Sequence, residues 1–139
     1  MRRALQKYRE LDAAEVASAG TGAWEGAPAS EGAYLVGIEN DLDLSTHRAQ
    51  LLTRELVGAS DLILTMARHH RVRVQELGGE GRTHLLGEYT GLSGPEAEVS
   101  DPFGSDIEVY RETFRELETL VTRAVERLAA EHQDADRRD

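Results

Sequence analysis

An α/β fold, built as a three-layer parallel sheet with flanking helices, is what this sequence predicts, and three observations carry that prediction. The run Leu62-Ile63-Leu64-Thr65-Met66 follows Asp61 as a short, continuously apolar stretch, the pattern of a strand buried on both faces of a parallel sheet. Residues 105–131 place Ile107, Val109, Tyr110, Phe114, Leu117, Leu120, Val121, Val125 and Leu128 at helical spacing, so one long amphipathic helix presents an inner face to such a sheet. The order helix, strand, helices, strand, helix, strand, helix then alternates as parallel crossover units do.

Taken in order, residues 1–11 put Ala4, Leu5, Tyr8 and Leu11 on one face of a helix with no capping residue ahead of it, as if its first turns were missing. Residues 15–20 read as a short strand closed by Gly20 and Gly22, and a Gly-rich loop holding Trp24 follows. Ser30 is a candidate cap for a helix to about Ile38, Ser45 for a second short helix, and Thr53 for a third leading into the apolar run after Asp61. Residues 67–77 are helical and stop at Gly78-Gly79, Thr83-His84-Leu85-Leu86 makes another strand, and residues 91–99 form a loop rich in Gly, Pro and Glu. A single domain therefore covers residues 1–131, ahead of a polar, frayed tail over 132–139. Three strands make a thin sheet, and an α/β chain that opens on a helix lacks the strand that would feed it.

Composition narrows the chemistry. At 139 residues the chain suits one core, and with only 5% aromatics that core must be filled by Leu, Val and Ala. It contains no Cys, which removes disulfides, thiolate metal sites and any cysteine nucleophile within these residues. No apolar run approaches the length of a membrane span and the first residues lack an apolar signal region, so a cytoplasmic location without a membrane partner is expected. The formal charge of -10 repels polyanions. The basic run Arg68-His69-His70-Arg71-Val72-Arg73 has no interleaved aromatics, so it reads as a solvated helix face and no nucleic-acid partner is expected. There is no Gly-x-Gly-x-x-Gly, Walker loop or Gly-x-Ser-x-Gly elbow, and no cofactor is expected.

Among the remaining residues Asp101 is the best candidate for chemistry. In Ser100-Asp101-Pro102-Phe103-Gly104, Pro102 biases Asp101 towards an extended backbone and Phe103 can shield the carboxylate, raising its pKa towards a range useful for general acid catalysis. The same dipeptide ahead of a helix also makes an ordinary turn. Trp24, flanked by Gly, is either a pocket wall or a lid over the core. His47 could be a hydrogen-bonding strut, a metal ligand or a surface residue. The adjacent His69 and His70 point to different helix faces, so they do not chelate one ion together and no metal site is expected.

Four stretches in order carry a resemblance: Val16-Ala17-Ser18-Ala19-Gly20-Thr21-Gly22-Ala23-Trp24, Asp43-Leu44-Ser45-Thr46-His47-Arg48-Ala49, Ala59-Ser60-Asp61-Leu62-Ile63-Leu64-Thr65-Met66, and the Asp101 loop. Together they resemble the low-molecular-weight protein-tyrosine phosphatases, a family that includes bacterial protein-arginine phosphatases. Asp101 to Tyr110 and Leu86-Gly87-Glu88-Tyr89 lean towards the arginine phosphatase branch. The resemblance implies hydrolysis of phosphoproteins, on phosphotyrosine or phosphoarginine, through a phosphocysteine. A Cys-x5-Arg-Ser/Thr loop holds the phosphoryl group at a helix N-terminus, and an aspartate first protonates the leaving group and then activates water. By that likeness Asp101 is the general acid, Trp24 and Phe103 line the substrate pocket, and Ser18 and His47 brace the phosphate loop.

The departure is as large as the match, since the opening strand, the cysteine and the arginine of that pattern are absent from these residues. The expectation is a start too far downstream, with the complete protein active and the 139-residue chain inactive. A non-catalytic remnant acting as a binding module is the alternative; an arsenate-reductase relative would need several cysteines. The missing strand is central in the family's sheet, so self-association through exposed sheet edges is also expected.

Overall fold

Among the described residues the sheet has two strands rather than three. In the computed structural model, which describes residues 1–137, β1 (Ile63–Thr65) pairs in parallel with β2 (Thr83–Leu85), with Ile63 opposite Thr83, Leu64 opposite His84 and Thr65 opposite Leu85. Parallel neighbours need a crossover, and α4 (Arg68–Glu76) supplies it. The helix stops where Gly78 takes a φ of 99°. The next residue, Gly79, is buried so tightly that a Cβ there would lie 2.5 Å from Val74 Cγ1.

The expected strand over residues 15–20 does not form; it contributes only an isolated parallel bridge between Gly20 and Leu51. Apart from half-buried Val16 and Gly20, its residues face water, and its Ala and Ser side chains bury too little to hold an extended segment without a ladder on either side. Side chains meet some of its carbonyls instead: Arg2 donates to Val16 O at 2.6 Å and Gln50 to Ser18 O at 2.9 Å.

The helix expected over residues 1–11 is broken into α1 (Arg2–Leu5) and a 3-10 turn, Arg9–Leu11, with Tyr8 extended between them. On an unbroken helix Leu5 and Leu11 would stand about 120° apart, at the two edges of the expected face. The break lets both reach one cluster with Val125 and Ala129.

Capping follows the sequence at one site of three. α3 (Arg54–Gly58) is capped by Thr53, whose Oγ1 accepts from Leu56 N–H at 3.2 Å. α2 (Glu31–Glu39) starts after Ser30, but the Ser30 hydroxyl instead accepts from Tyr110 OH at 3.3 Å. Ser45 starts no helix; it lies in a local turn in which its N–H donates to Asp43 Oδ1 at 2.8 Å.

After β2 the chain turns at once into α5 (Leu86–Tyr89), so Leu86 ends as a helical residue rather than a strand one, and a 3-10 turn, Gly94–Ala97, follows. α6 (Ile107–Arg137) continues beyond the expected end near Glu131; Arg138 and Asp139 lie outside the described residues. Two clusters hang on it. Leu120 and Ala124 pack with Leu86, Tyr89 and Val99 over Leu62, Leu64 and Met66, while Val125 and Ala129 pack with the N-terminal leucines. Val109, expected on the inner face, is exposed, and Ala124 and Ala129 take part in the core instead.

Candidate functional site

The loop carrying Asp101 hangs from the C-terminal end of β1, where open parallel sheets place their ligand sites. Val99 N–H donates to Met66 O at 2.8 Å, one residue past the strand. Its stem is clasped to α4. Glu98 Oε1 accepts the Arg68 backbone N–H at 2.9 Å, serving as the cap that Ala67 cannot be, and the Arg68 guanidinium pairs with Glu98 at 3.3 Å and donates to Gly94 O at 3.1 Å. The Arg68 backbone N–H is the main cause that holds the Glu98 carboxyl below the ordinary carboxylate range.

Within the loop, Asp101 Oδ1 accepts the Phe103 N–H at 3.0 Å, and Ser105 N–H donates to Pro102 O at 2.8 Å with Gly104 at φ 82°. The carboxylate is exposed, and so is the ring expected to shield it, since Phe103 is 77% exposed. Phe103 therefore stands beside the acid without covering it.

The other three predicted residues lie on a second pair of loops. Gly20 N–H donates to Gln50 O at 3.0 Å and Leu52 N–H to Gly20 O at 2.9 Å, while Gly26 and Ala27 exchange backbone hydrogen bonds with Ala49 at 2.8 Å. This stitching brings together the segments that hold Ser18, Trp24 and His47. All three side chains face water, Trp24 at 85% exposure. His47 N–H donates to Leu44 O at 3.1 Å, and its own carbonyl accepts from Arg48. Among the described residues, no hydrogen bond or ion pair joins this group to Asp101 and Phe103.

Sequence reading missed the surroundings of the acid. His70 lies within electrostatic reach of Asp101: burial and then the charge of His69 lower its pKa, while Asp101 and Glu98 pull it up. The basic run is not merely solvated, since Arg68 and Arg71 pair with Glu88 at 3.6 and 2.8 Å and Arg73 pairs with Glu76 at 3.0 Å. No local pattern marks Glu88 or Glu98 as their partners, because the contacts span many residues of chain. What this arrangement can do chemically is give or take a proton at an exposed carboxylate; with no Cys in the chain it holds no thiolate to attack phosphorus.

The family described as low molecular weight phosphotyrosine protein phosphatase matches residues 1–134. The chain belongs to that family. It is 35% identical over 131 residues to the protein-arginine-phosphatase of Geobacillus stearothermophilus, covering 94% of this chain and 88% of that one. It is 37% identical over 130 residues to the low molecular weight protein-tyrosine-phosphatase Wzb of Escherichia coli K12, covering 91% and 81%. Among solved structures, the YwlE arginine phosphatase of G. stearothermophilus matches with a TM-score of 0.82 at 34% identity, over 94% of this chain and 84% of the other. A low molecular weight protein tyrosine phosphatase from T. tengcongensis matches with a TM-score of 0.73 at 37% identity, over 81% and 76%. The two-stranded parallel sheet with its flanking helices is thus a low molecular weight phosphatase fold, and phosphoprotein substrates fit it.

Proposed function

We propose that this chain is the acid-bearing part of a phosphatase acting on phosphotyrosine or phosphoarginine in proteins. Its 139 residues alone turn over no substrate. The observation that carries this reading is an Asp-Pro loop tied to the end of β1 through Val99 and Met66, in a chain without cysteine.

In the complete reaction a cysteine thiolate, supplied from outside these residues, attacks phosphorus, and the bond to the leaving oxygen or nitrogen breaks as Asp101 passes its proton to that atom. The Asp101 carboxylate then takes a proton from water, whose oxygen attacks phosphorus and releases the thiolate. Trp24 and Phe103 form the pocket walls, and Ser18 and His47 brace the phosphate loop. The exposure of the two aromatics supports this reading, since Trp24 and Phe103 facing water contribute little to the core. Loss of a nucleophile removes on the order of a millionfold in rate, so the chain by itself is expected to hydrolyse neither a phosphotyrosine analogue nor phosphoarginine. Turnover by the purified chain that Asp101→Asn abolishes would overturn the proposal. An intact mass of the native product above 15.3 kDa, with a titratable thiol, is the expected companion result. A native mass equal to 15.3 kDa, with no thiol, would favour a non-catalytic module that binds through the same exposed loops.

A further inference from the structure

α2 has the sequence Glu31-Gly32-Ala33-Tyr34-Leu35-Val36-Gly37-Ile38-Glu39, apolar on every side between its two acidic ends. A helix of that kind is ordinarily covered all round. Here one side is covered: Val36 and Gly37 are buried, and Gly32 lies so close to Tyr110 of α6 that a Cβ would come within 2.5 Å of the ring. On the other side Tyr34, Leu35 and Ile38 face water, Ile38 at 53% exposure.

The chain then folds back along this face. Leu42 N–H donates to Gly37 O at 2.8 Å, and Asp41 makes the reversal at φ 60°, a left-handed conformation that few residues other than Gly adopt. Two abutting open grooves result, of about 420 and 430 Å3, which share Tyr34 and Ser45. Tyr34, Ile38, Leu42 and Leu44 give them an apolar floor, and Glu31, Asp41 and Asp43 are the charges on it. Hydrogen bonds from Ser45 hold Asp43 below its ordinary pKa, so it stays anionic. No Lys or Arg is among the lining residues. Of the neighbouring guanidiniums, Arg111 is neutralised by Glu39 and Glu108, while Arg48 and Arg3 are pinned at the margin on the carbonyls of Ser45 and His47 and of Asn40 and leave the three acids in the majority.

We propose that this acid-rimmed apolar groove docks a short segment of a partner polypeptide whose apolar anchor side chains are flanked by Arg or Lys. Charge decides the occupant. A second copy would set the same acids against each other on a chain of net charge -10, and an anionic ligand would be repelled in the same way. The grooves are shallow and open, so their apolar floor suits anchors laid along the surface, and the acids beside them suit basic flanks. No residue of the Asp101 loop takes part, so the docking surface stands or falls independently of the phosphatase reading.

The test is fluorescence anisotropy on the 139-residue chain with a labelled peptide carrying Leu and Phe anchors between Arg residues, against the same peptide with Glu in place of Arg. Saturable binding is expected for the first alone, weakening as salt rises from about 0.05 M to about 0.5 M. Ile38→Ser is expected to weaken it by about tenfold or more. The double change Asp41→Asn and Asp43→Asn is expected to weaken it by about threefold to tenfold. Asn tolerates the left-handed φ at 41 and still accepts the Ser45 N–H at 43, so the loop is preserved; circular dichroism and thermal unfolding check that each variant is folded. No binding of the Arg-flanked peptide, equal binding of the Glu-flanked one, or affinity unchanged in the folded variants overturns the proposal. So does association of the chain with itself that Ile38→Ser abolishes, because it gives the face to a second copy.

Discussion

The stem of the Asp101 loop is clasped to α4, which carries His70, so the electrostatic pull of Asp101 on His70 reports whether the loop sits where Val99, Glu98 and Arg68 hold it. Burial and His69 keep the His70 imidazole below its ordinary 6.5, against the opposing pull of Asp101 and Glu98. A histidine that is harder to protonate in the folded chain draws protons to the unfolded one. Its stabilising effect is therefore intact above pH 6.5 and is lost as the pH falls through and below that value. Asp101→Asn keeps a side-chain oxygen for the Phe103 N–H and removes one upward pull. The His70 midpoint, followed by proton NMR, is thus expected to fall further in that variant and to stay put in Phe103→Ala. A midpoint unchanged or raised by Asp101→Asn would mean that the loop does not lie beside α4. At this scale the Asp101 loop was legible in the sequence as a turn, because an Asp-Pro ahead of a long helix is a local pattern. His70, Arg68 and Glu98 were not, because their roles come from contacts that only the fold creates.

Elements follow the sequence where a local rule acts alone or a needed neighbour is present, and depart from it where that neighbour is missing. Thr53 caps α3 because that contact is decided within a few residues, and the apolar run after Asp61 becomes β1 because β2 is there to pair with it. Residues 15–20 fail as a strand, since a strand exists only by pairing, and Ser45 caps nothing because it is held in a local turn with Asp43 and no helix follows it. α5 went unread because what fixes it is close contact rather than periodicity. Gly87 lies against the Gly94–Ala97 turn, where a Cβ would meet the carbonyl oxygen of Ala97 and come within 2.5 Å of its Cα. Both atoms are backbone and cannot swing aside. Gly87→Ala is therefore expected to destabilise the chain by about 1–3 kcal/mol, measured by urea unfolding, by prising α5 off the stem of the Asp101 loop. Gly58 provides the contrast: it ends α3 with nothing within 4 Å of where a Cβ would sit, so Gly58→Ala is expected to be neutral or to stabilise by up to about 1 kcal/mol. Equal effects of the two changes would refute the contact argument.

For the whole molecule, the quantity that matters is how much surface it leaves in water. A compact monomer of 15.3 kDa exposes about 7,100 Å2 by the usual scaling. This chain exposes 9364 Å2. Part of the excess is the end of α6, exposed from Ala130 to Gln133, but Trp24, Phe103 and Ile38 add to it and the buried apolar residues are mostly single Leu, Val and Ala side chains. The surplus of roughly 2,200 Å2 exceeds the roughly 800 Å2 that one partner gives to a standard interface, which leaves room for one after the end of α6 is set aside. Backbone geometry points the same way. Ile63 N–H is spent on Arg82 O across the β1 and β2 pair, so in a parallel ladder the alternate groups, those of Leu64, face away from β2 along an open edge. An open edge beside half-buried Leu62, Leu64 and Met66 is a template for another strand. We therefore expect the 139-residue chain to self-associate in a concentration-dependent way by sedimentation velocity, and to do so equally with Ile38→Ser, because the edge of β1 and not the α2 groove is responsible. Its urea unfolding should have a slope well below that of a compact domain of this length, since less surface is hidden to begin with. A strictly monomeric chain that unfolds in one steep, cooperative transition would show that the surplus surface is stably solvated, and would remove the ground for a partner along that edge.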